Sequence, residues 1–517
     1  MLKLTEFRNE PFTDFSQPAN ADAMRAALQT VQQQLGQAYP LAIGGKPVET
    51  GFTVTSTSPA NPQLVIGTHA QAEPSIVSQA IAAGEAAFAS WSVQPAEDRV
   101  ALLLQAAKLM RERKFEFCAW LTFEAGKNWA EADADTAEAI DFLEFYAREA
   151  LRLAESAPRI QYPGERNEFV YVPLGVGAVI PPWNFPLAIM AGMTAAAIVT
   201  GNTVVLKPSP LAPTIAARFV LLLQECGVPA GVVTLLQGGA ALGSAIIEHP
   251  GIHFVSFTGS KKVGLDIQVR AAQVKPGQRW IKRTILELGG KDAIIVEADA
   301  DLEAAADGVV ASACGFSGQK CSACSRVIVN AQVHDAFVQK LAQRMQALTI
   351  GDPAANRAIG PVISEDSYKR ILGYIGEAAA KGKVLAGGKA HTPAAEGYYI
   401  QPTLIAGLSP QDRICQEEVF GPVLAVLKSK DFEDALQIAN DTEYGLTGAV
   451  YSKDEKKLKR AAAAFHVGNL YFNRKCTGAM VGAHPFGGFK LSGTDSKAGG
   501  ADYLLLFTQA KSINYKL

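Results

Sequence analysis

The sequence predicts an α/β fold in which a parallel sheet is followed by a second α/β unit. Two stretches of alternation carry that reading, and the chain length supports it. From Gly175 onward, short β-branched runs (GVGAVI, TVVLK, VVTLL, HFVSF) alternate with helical segments, the pattern of βαβ units. A second alternating section runs from Ala293 to about Lys475, with strands AIIVE, RVIVN, VLAVL and TGAVY around helices such as Asp335–Leu348. At 517 residues the chain exceeds what one hydrophobic core usually supports, so two or three structural units are expected.

In chain order, residues 1 to about 37 hold a polar helical pattern, Ala21–Leu35, after Asn and Pro turn signals. They offer too few apolar residues for a core of their own and read as an arm laid on the main body. PLAIGGKPV reads as a hairpin with Gly44-Gly45 at its turn. Val77, Ala80, Ile81, Phe88 and Trp91 keep helical spacing over Ser75–Trp91, and Val100, Leu103, Leu104, Ala107 and Met110 repeat it in the next helix. A long helix is expected from Trp129 to about Ala154. Its carboxylates, Glu131, Asp133, Asp135, Glu138, Asp141 and Glu144, read most simply as a solvated face. In the first alternating section the turns collect at one sheet edge, where a dinucleotide would bind. No G-x-G-x-x-G follows its first strand. FTGSKKVG offers an alternative, with Gly259 and Ser260 opening a helix whose free N–H groups suit a pyrophosphate oxygen, although the same turn is also an ordinary helix cap. The chain ends in the strand-like AKSINYKL, with no obvious partner nearby in sequence.

Composition excludes several classes of function. Lys and Arg number 48 against 50 Asp and Glu, and a net charge of −2 gives no reason to expect nucleic acid or an acidic membrane as partner. A hydrophobic share of 48% is ordinary for a large soluble enzyme. The N-terminal MLKLTEFRNEPFTDF lacks the apolar core of a signal peptide, and the most apolar run, Leu187–Thr200, falls short of the ~20 residues of a membrane span. Seven scattered cysteines (118, 226, 314, 321, 324, 415 and 476) are unlike a secreted disulfide framework and fit a reducing cytoplasm.

One cysteine stands apart. In FSGQKCSACSR, Phe316–Arg326, Cys321 is flanked by small and amide side chains, which leave an approach path open and do not seal its sulfur in a core. It reads as a nucleophile, which needs a thiolate and therefore nearby N–H groups or a cation to lower the thiol pKa. A buried structural cysteine, or half of a Cys321/Cys324 redox or metal pair, are the alternatives. With no histidine between residues 254 and 333 and no second Cys-x-x-Cys, a four-ligand zinc site built on Cys314, Cys321 and Cys324 is poorly supported.

Around this loop lie PPWNFP (Pro181–Pro186), TVVLKPS (Thr203–Ser209), FTGS (Phe257–Ser260), LELGGK (Leu286–Lys291), EEVFGPV (Glu417–Val423) and HPFGGFKLSG (His484–Gly493). In this order and at these separations, over roughly residues 40–517, they resemble the aldehyde dehydrogenase superfamily. Within it they are most similar to the branch that acts on glutamate semialdehyde. The resemblance implies a Rossmann-type NAD-binding domain (38–154 and 172–287) and an α/β catalytic domain with a substrate anchor loop (288–489). It further implies a small β oligomerisation element (155–171 and 490–517), with the arm (1–37) in front. In the family a terminal strand of this kind, with a hairpin near residues 155–171, pairs with a neighbouring subunit's sheet, so a homo-oligomer, dimer or higher, is expected.

The implied reaction oxidises L-glutamate γ-semialdehyde, the ring-opened form of 1-pyrroline-5-carboxylate, to glutamate in proline breakdown. A cysteine thiohemiacetal and a thioester are its intermediates. No proline-oxidising domain is read in the sequence, so a separate enzyme is expected to supply this small-molecule substrate. Another semialdehyde of the succinate type is the rival within the class. By match to the family's motifs, Cys321 is the nucleophile, and Asn184 donates its side-chain amide to the oxyanion alongside the Cys321 N–H. Glu287 is the general base for thioester hydrolysis. Its place between Leu286 and Leu288 at a strand end should shield it and raise its pKa, and Gly289-Gly290 allow close backbone approach to a ligand.

For the cofactor, Lys207 resembles the lysine on the adenosine ribose and Glu418 the glutamate on the nicotinamide ribose, with Phe420 beside it. Ile180, Pro181, Trp183, Ser209, Gly238, Gly259, Ser260 and Gly289 complete the implied set. Many NAD-preferring relatives carry a glutamate three residues after the lysine, whereas Pro210 stands there in this chain, which leaves NADP open as well as NAD. For the substrate, Ser322 and the N–H groups of Gly478 and Ala479 would grip the α-carboxylate. Phe185 would pack on the methylene chain, and Glu138 and Phe486 would lie beside the substrate. No metal is implied.

Overall fold

The computed structural model describes residues 4–155, 160–391 and 397–517. Its first sheet is formed by β1 (Val176–Ile180), β2 (Thr203–Leu206), β3 (Val233–Leu235), β4 (Phe254–Thr258) and β5 (Arg283–Glu287), all parallel, in the order β5-β4-β1-β2-β3. Every residue of β1 and β2 is buried, which is why these strands read as continuous apolar runs instead of alternating. Gly177 in β1 is required by packing: a Cβ there would lie 1.9 Å from the Phe254 ring of the neighbouring strand.

The second sheet takes β6 (Ala293–Val296), β7 (Arg326–Asn330), β8 (Lys383–Ala386), β9 (Thr403–Ala406), β10 (Val423–Ser429), β11 (Thr447–Tyr451) and β12 (Asn469–Phe472), in the order β8-β9-β10-β7-β6-β11-β12. Only the edge pair β8–β9 is antiparallel. Because β1–β5 run parallel, Ile180, Leu206, Thr258 and Glu287 all end at one edge. The loops leaving that edge meet the loops that enter β6, β7 and β10.

The arm helix spans Pro18–Gln32, three residues earlier than the apolar pattern predicts, because Pro18 sits in the first turn, where its fixed φ and missing N–H cost nothing. It buries Ala21, Met24, Leu28 and Val31 on the main body. The Gly44-Gly45 hairpin forms as expected, pairing Leu41–Ile43 with Lys46–Val48. A helix at Lys114–Ala125 and the antiparallel strands Thr53–Ser58 and Asn61–Ala70 escape the sequence reading. That helix is buried almost all round, so it carries no amphipathic stripe to reveal it.

The long helix, Trp129–Ala154, corrects the reading of its carboxylates. None of the six is exposed, and Asp133, Asp135 and Asp141 are fully buried. Apart from Glu138, each has a hydrogen-bond or ion-pair partner in the fold, most of them on other elements, which is why spacing alone points to a solvated face. Lys114 lies 2.9 Å from Asp133 and Lys320 2.7 Å from Glu131, while Arg111 and Arg148 pair with Glu144. The arm donates to the others, through Thr13 N–H to Asp133 at 2.8 Å and Glu10 N–H to Asp141 at 2.6 Å.

Lys127 and Asp135 form a fully buried pair at 3.0 Å. Burial pushes the lysine pKa down and the aspartate up, and the Ala188 N–H holds the second aspartate oxygen. Asp135→Ala would strand the ammonium between the Phe185 and Phe316 rings. A loss of roughly 3–5 kcal/mol is expected, read as a lowered thermal midpoint that Lys127→Met in the same chain partly restores.

The terminal strand, Thr508–Lys516, finds its partner within the chain. It pairs antiparallel with Glu165–Pro173 along nine positions, from Thr508↔Pro173 to Lys516↔Glu165. Of the expected hairpin near 155–171, the described residues include the strand Glu165–Pro173. Residues 156–159 lie outside the described residues.

Candidate active site

The loop of Cys321 is held in an unusual shape. It leaves the helix Leu302–Cys314 through Phe316 and Ser317, both left-handed at φ 50° and 54°. Gly318 follows at φ 68°, where a Cβ would lie 2.1 Å from the Gly421 carbonyl. Strain of this kind persists only where surroundings over-determine it, and here they do. Ser317 Oγ donates to the Gly360 carbonyl at 2.8 Å, Gln319 Nε2 to Phe316 and Pro361, and the Ile363 N–H to Gln319 Oε1 at 2.8 Å. Cys321 is left half-buried, its sulfur receiving the Ser322 N–H.

Two further elements converge on this loop. From the turn after β1, Asn184 is buried and donates Nδ2 to the Gln319 carbonyl at 3.2 Å, two residues before the thiol. From the end of β5, Glu287 is buried, with Ser496 Oγ donating to one oxygen while the other has no partner among the described residues. The Gly289-Gly290 turn then serves a purpose that the sequence does not reveal. A Cβ on Gly290 would lie 2.4 Å from the Cys321 carbonyl, and one on Gly289 2.4 Å from the Glu418 carboxylate. These glycines let the backbone approach the nucleophile loop and Glu418; the Gly290 N–H donates to Glu418 at 3.0 Å.

The electrostatics reverse one expectation. The Cys321 thiol pKa is pushed well up, first by burial and then by Asp292, Glu418 and Glu287, against the weaker lowering from the Ser322 N–H. Burial also raises Glu287 to about 8, Glu138 to about 8 and Glu418 to about 7. At neutral pH these carboxyls hold much of their proton complement, which limits like-charge crowding around the sulfur.

The implied cofactor residues line the C-terminal edge of the first sheet. Ile180 ends β1 and Pro181 follows it, buried. The Trp183 ring stands 5.4 Å from that of Phe420 at 82°, and Phe420 itself is left-handed at φ 57°. Lys207, just past β2, is buried and lowered to about 8 by burial, with its Nζ donating to the Pro208 carbonyl at 3.2 Å. Ser209 Oγ accepts from Leu211 N–H. Gly259 N–H donates to the Glu287 carbonyl, and Ser260 Oγ caps the helix Lys261–Ala272 through Val263 N–H at 3.4 Å. A Cβ at Gly238 would lie 2.6 Å from the Leu242 side chain and 3.1 Å from the Ala72 carbonyl. A buried lysine with unused donors, an aromatic pair and a carboxylate over a glycine cradle fit an adenine dinucleotide.

The implied substrate residues lie on the long helix, on the turn after β1, on the nucleophile loop and on segment 474–486. The Lys127 Nζ sits 3.9 Å from the centre of the Phe185 ring, and Glu138 is half-buried nearby on the long helix. The Ser322 carbonyl accepts from Cys476 Sγ at 3.3 Å and from Thr447 Oγ1 at 3.4 Å, which joins the nucleophile loop to segment 474–482. Arg474 donates to the Thr477 and Gly478 carbonyls at 2.8 and 3.0 Å, and Gly478 is left-handed at φ 76°. Among the described residues the N–H groups of Gly478 and Ala479 have no hydrogen-bond partner. Phe486 exchanges backbone hydrogen bonds with Ala498.

Cys324 is buried and turns away from Cys321, donating to the Arg326 carbonyl at 3.4 Å and bonding to the Cys476 thiol. Among the described residues no group of His, Cys, Asp and Glu is arranged to hold a metal. The sequence reading missed Asp292, Gln319 and Ser496, whose roles arise from contacts across the fold; only the proximity of Asp292 to LELGGK was visible.

The model of the aldehyde dehydrogenase family matches residues 48–513. A relative from Geobacillus thermodenitrificans (strain NG80-2), named 1-pyrroline-5-carboxylate dehydrogenase, is 52% identical over 98% of this chain and 99% of its own length. One of the same name from Bacillus subtilis (strain 168) is also 52% identical, over 98% of each chain. A solved structure of 1-pyrroline-5-carboxylate dehydrogenase from Thermus with bound NAD superposes with a TM-score of 0.98, at 48% identity over the whole of both chains. With the converging loops around Cys321, these likenesses establish that the chain belongs to the aldehyde dehydrogenase family.

Proposed function

We propose that the protein oxidises L-glutamate γ-semialdehyde, formed from 1-pyrroline-5-carboxylate, to L-glutamate with NAD, as a step of proline catabolism. The observation that carries the substrate is the pair of unpartnered N–H groups at Gly478 and Ala479, tied to Ser322 and so to the nucleophile loop. Two adjacent N–H donors there suit a carboxylate, which an aldehyde enzyme for apolar substrates has no use for. The relatives' name and the Thermus enzyme's bound NAD agree with this reading.

In the proposed mechanism, Cys321 loses its proton to water, and its sulfur adds to the aldehyde carbon. The carbonyl electron pair moves to oxygen, where the Asn184 amide and the Cys321 N–H receive it. Such donors typically contribute ~3 kcal/mol or more each. The chemistry that NAD supplies when bound is acceptance of the hydride that converts the thiohemiacetal to a thioester. Glu287 then takes a proton from water as it adds to the thioester carbon; the C–S bond breaks and Cys321 leaves as thiolate. Lys207 and Glu418 hold the two riboses, with Trp183, Phe420, Ile180, Pro181, Ser209, Gly238, Gly259, Ser260 and Gly289 shaping the cleft. Phe185, Phe486 and Glu138 enclose the substrate's chain and amino group.

The division into arm, cofactor, catalytic and oligomerisation segments is part of the same proposal. The two-stranded ribbon Glu165–Pro173/Thr508–Lys516 carries Tyr171 and Tyr515 on exposed positions, and a ribbon of two strands is marginal alone; a second copy of the chain would complete it. Among the described residues no helix is long and apolar enough to cross a membrane.

The substrate assignment is tested by kcat/KM for three aldehydes on one preparation. Pentanal lacks the carboxylate and leaves the anchor donors unpaired, at ~1–3 kcal/mol for each one that a bound substrate shields from water, so a fall of roughly tens to thousands-fold is expected. Glutarate semialdehyde should lie between. Equal efficiency for pentanal and glutamate semialdehyde would remove the carboxylate anchor from the proposal.

A further inference from the structure

The N-terminal arm reaches the loop that presents the carboxylate donors. Asn9 directs both hydrogens of one amide nitrogen to separate elements: Nδ2 donates to Asp141 Oδ2 at 2.7 Å and to the Val481 carbonyl at 3.0 Å. Asp141 belongs to the long helix Trp129–Ala154, one turn beyond Glu138, and is buried at 4% exposure. Its other oxygen is held by the Glu10 N–H at 2.6 Å. Val481 stands two residues after Ala479 and is itself buried at 4% exposure. Beside it, Phe7 packs edge-on against Phe145 at 5.1 Å, and both rings bear on Gly482, where a Cβ would lie 3.2 Å from each. Residues 7–10 therefore wedge between the substrate helix and the anchor loop.

Segment 474–482 is fixed through its carbonyls at both ends. Arg474 takes those of Thr477 and Gly478, and Asn9 takes that of Val481. The Gly482 N–H closes the far end on the Gly499 carbonyl at 2.8 Å. Holding a loop by its carbonyls leaves N–H groups free and orients them, and among the described residues those of Gly478 and Ala479 are among the free ones. The two acceptors also limit what can replace asparagine. Aspartate would set a third oxygen against Asp141 and Val481 O, and alanine would leave a buried carboxylate oxygen and a buried carbonyl each short of a donor.

We propose that Asn9 is a positioning residue for substrate selectivity, by which the N-terminal arm sets the geometry of the Gly478–Ala479 carboxylate anchor. This rests on the carboxylate reading of that loop. Asn9 touches neither the aldehyde end of the site nor Cys321, so its effect is confined to substrates that bear the carboxylate.

The test compares wild type, Asn9→Ala and Asn9→Gln, the last of which keeps both amide donors, on 1-pyrroline-5-carboxylate and on pentanal, with thermal midpoints measured in parallel. Asn9→Ala is expected to lower kcat/KM for the natural substrate roughly five- to fiftyfold, mainly through KM, while that for pentanal stays within about twofold. Asn9→Gln should recover part of the loss. A lowered midpoint with an unchanged ratio of the two efficiencies would make Asn9 merely structural and overturn the proposal. Should Asn9→Ala fail to accumulate as folded protein, Asn9→Ser carries the same comparison, and an unchanged ratio there overturns it equally. Loss of the carboxylate reading is seen separately, in wild type alone, as no preference between the two substrates.

Discussion

Cys321→Ala is expected to abolish dehydrogenase activity, by roughly 10⁴-fold or more, since no neighbouring group can form the covalent bond in its place. Binding of NAD, followed through quenching of tryptophan fluorescence, should remain near wild type, because Lys207, Trp183 and Glu418 lie on other elements. Cys324→Ala should keep most of the activity: that side chain is 1% exposed and its thiol is engaged by Arg326 O and Cys476. The opposite pattern would exchange the roles of the two cysteines. The raised Cys321 pKa adds a second reading of the same site. Alkylation of the free enzyme by iodoacetamide should be slow at neutral pH and accelerate as pH rises, because the thiolate is the reacting form. An alkylation rate that is already at its plateau at pH 7 would show that burial and the neighbouring carboxyls do not hold the proton on the sulfur.

How much of this was legible in the sequence depends on the range of the interaction. The alternation of β1–β5 and of β6, β7, β10 and β11 follows from local pattern, and so do the turns at which Lys207, Gly259 and Glu287 sit. The Asp133, Asp135 and Asp141 carboxylates show the opposite case. Their helical spacing is that of a polar face, yet Lys114, Lys127 and the arm's Thr13, Asn9 and Glu10 bury and satisfy them from as far as 132 residues away in sequence. The glycines after Glu287 illustrate an intermediate case. Their need for a close approach is readable, but the partners, the Cys321 carbonyl and Glu418, emerge only when three loops meet. Left-handed Phe316, Ser317 and Phe420 carry no sequence signal at all, since phenylalanine and serine do not favour that conformation. The sheet edge was thus readable from periodicity, while the shape of the nucleophile loop was not. The terminal strand was recognised as a strand, but its partner, some 340 residues earlier, was beyond any local rule.

Glu287→Gln should separate the two halves of the reaction and, at the same time, change how stability depends on pH. The amide keeps the volume and the Ser496 contact but cannot accept a proton from water, so a first turnover's worth of NADH is expected as a burst, followed by a steady rate lowered roughly 10²–10⁴-fold. Stopped-flow absorbance measures both phases, and an unchanged steady rate would remove Glu287 from the mechanism. In wild type the base becomes fully available only as pH rises through about 8, so the steady rate should climb toward that pH. Stability runs the other way. Folded Glu287 keeps its proton to about pH 8 while the unfolded chain releases it near 4.5, so the native state binds more protons across that window and is destabilised as pH rises from 4.5 to about 8. One proton held across each pH unit of that window is worth about 1.4 kcal/mol, which puts the cost at alkaline pH on the order of a few kcal/mol. Glutamine does not titrate, so Glu287→Gln should match or slightly exceed wild type in thermal midpoint near pH 8, with the advantage shrinking as pH falls toward 4.5. Glu138 and Glu418, also raised by burial, keep part of the slope in the variant. A variant less stable than wild type at pH 8 would mean that the carboxylate is stabilised in the fold, and the base would then need a different source for its raised pKa.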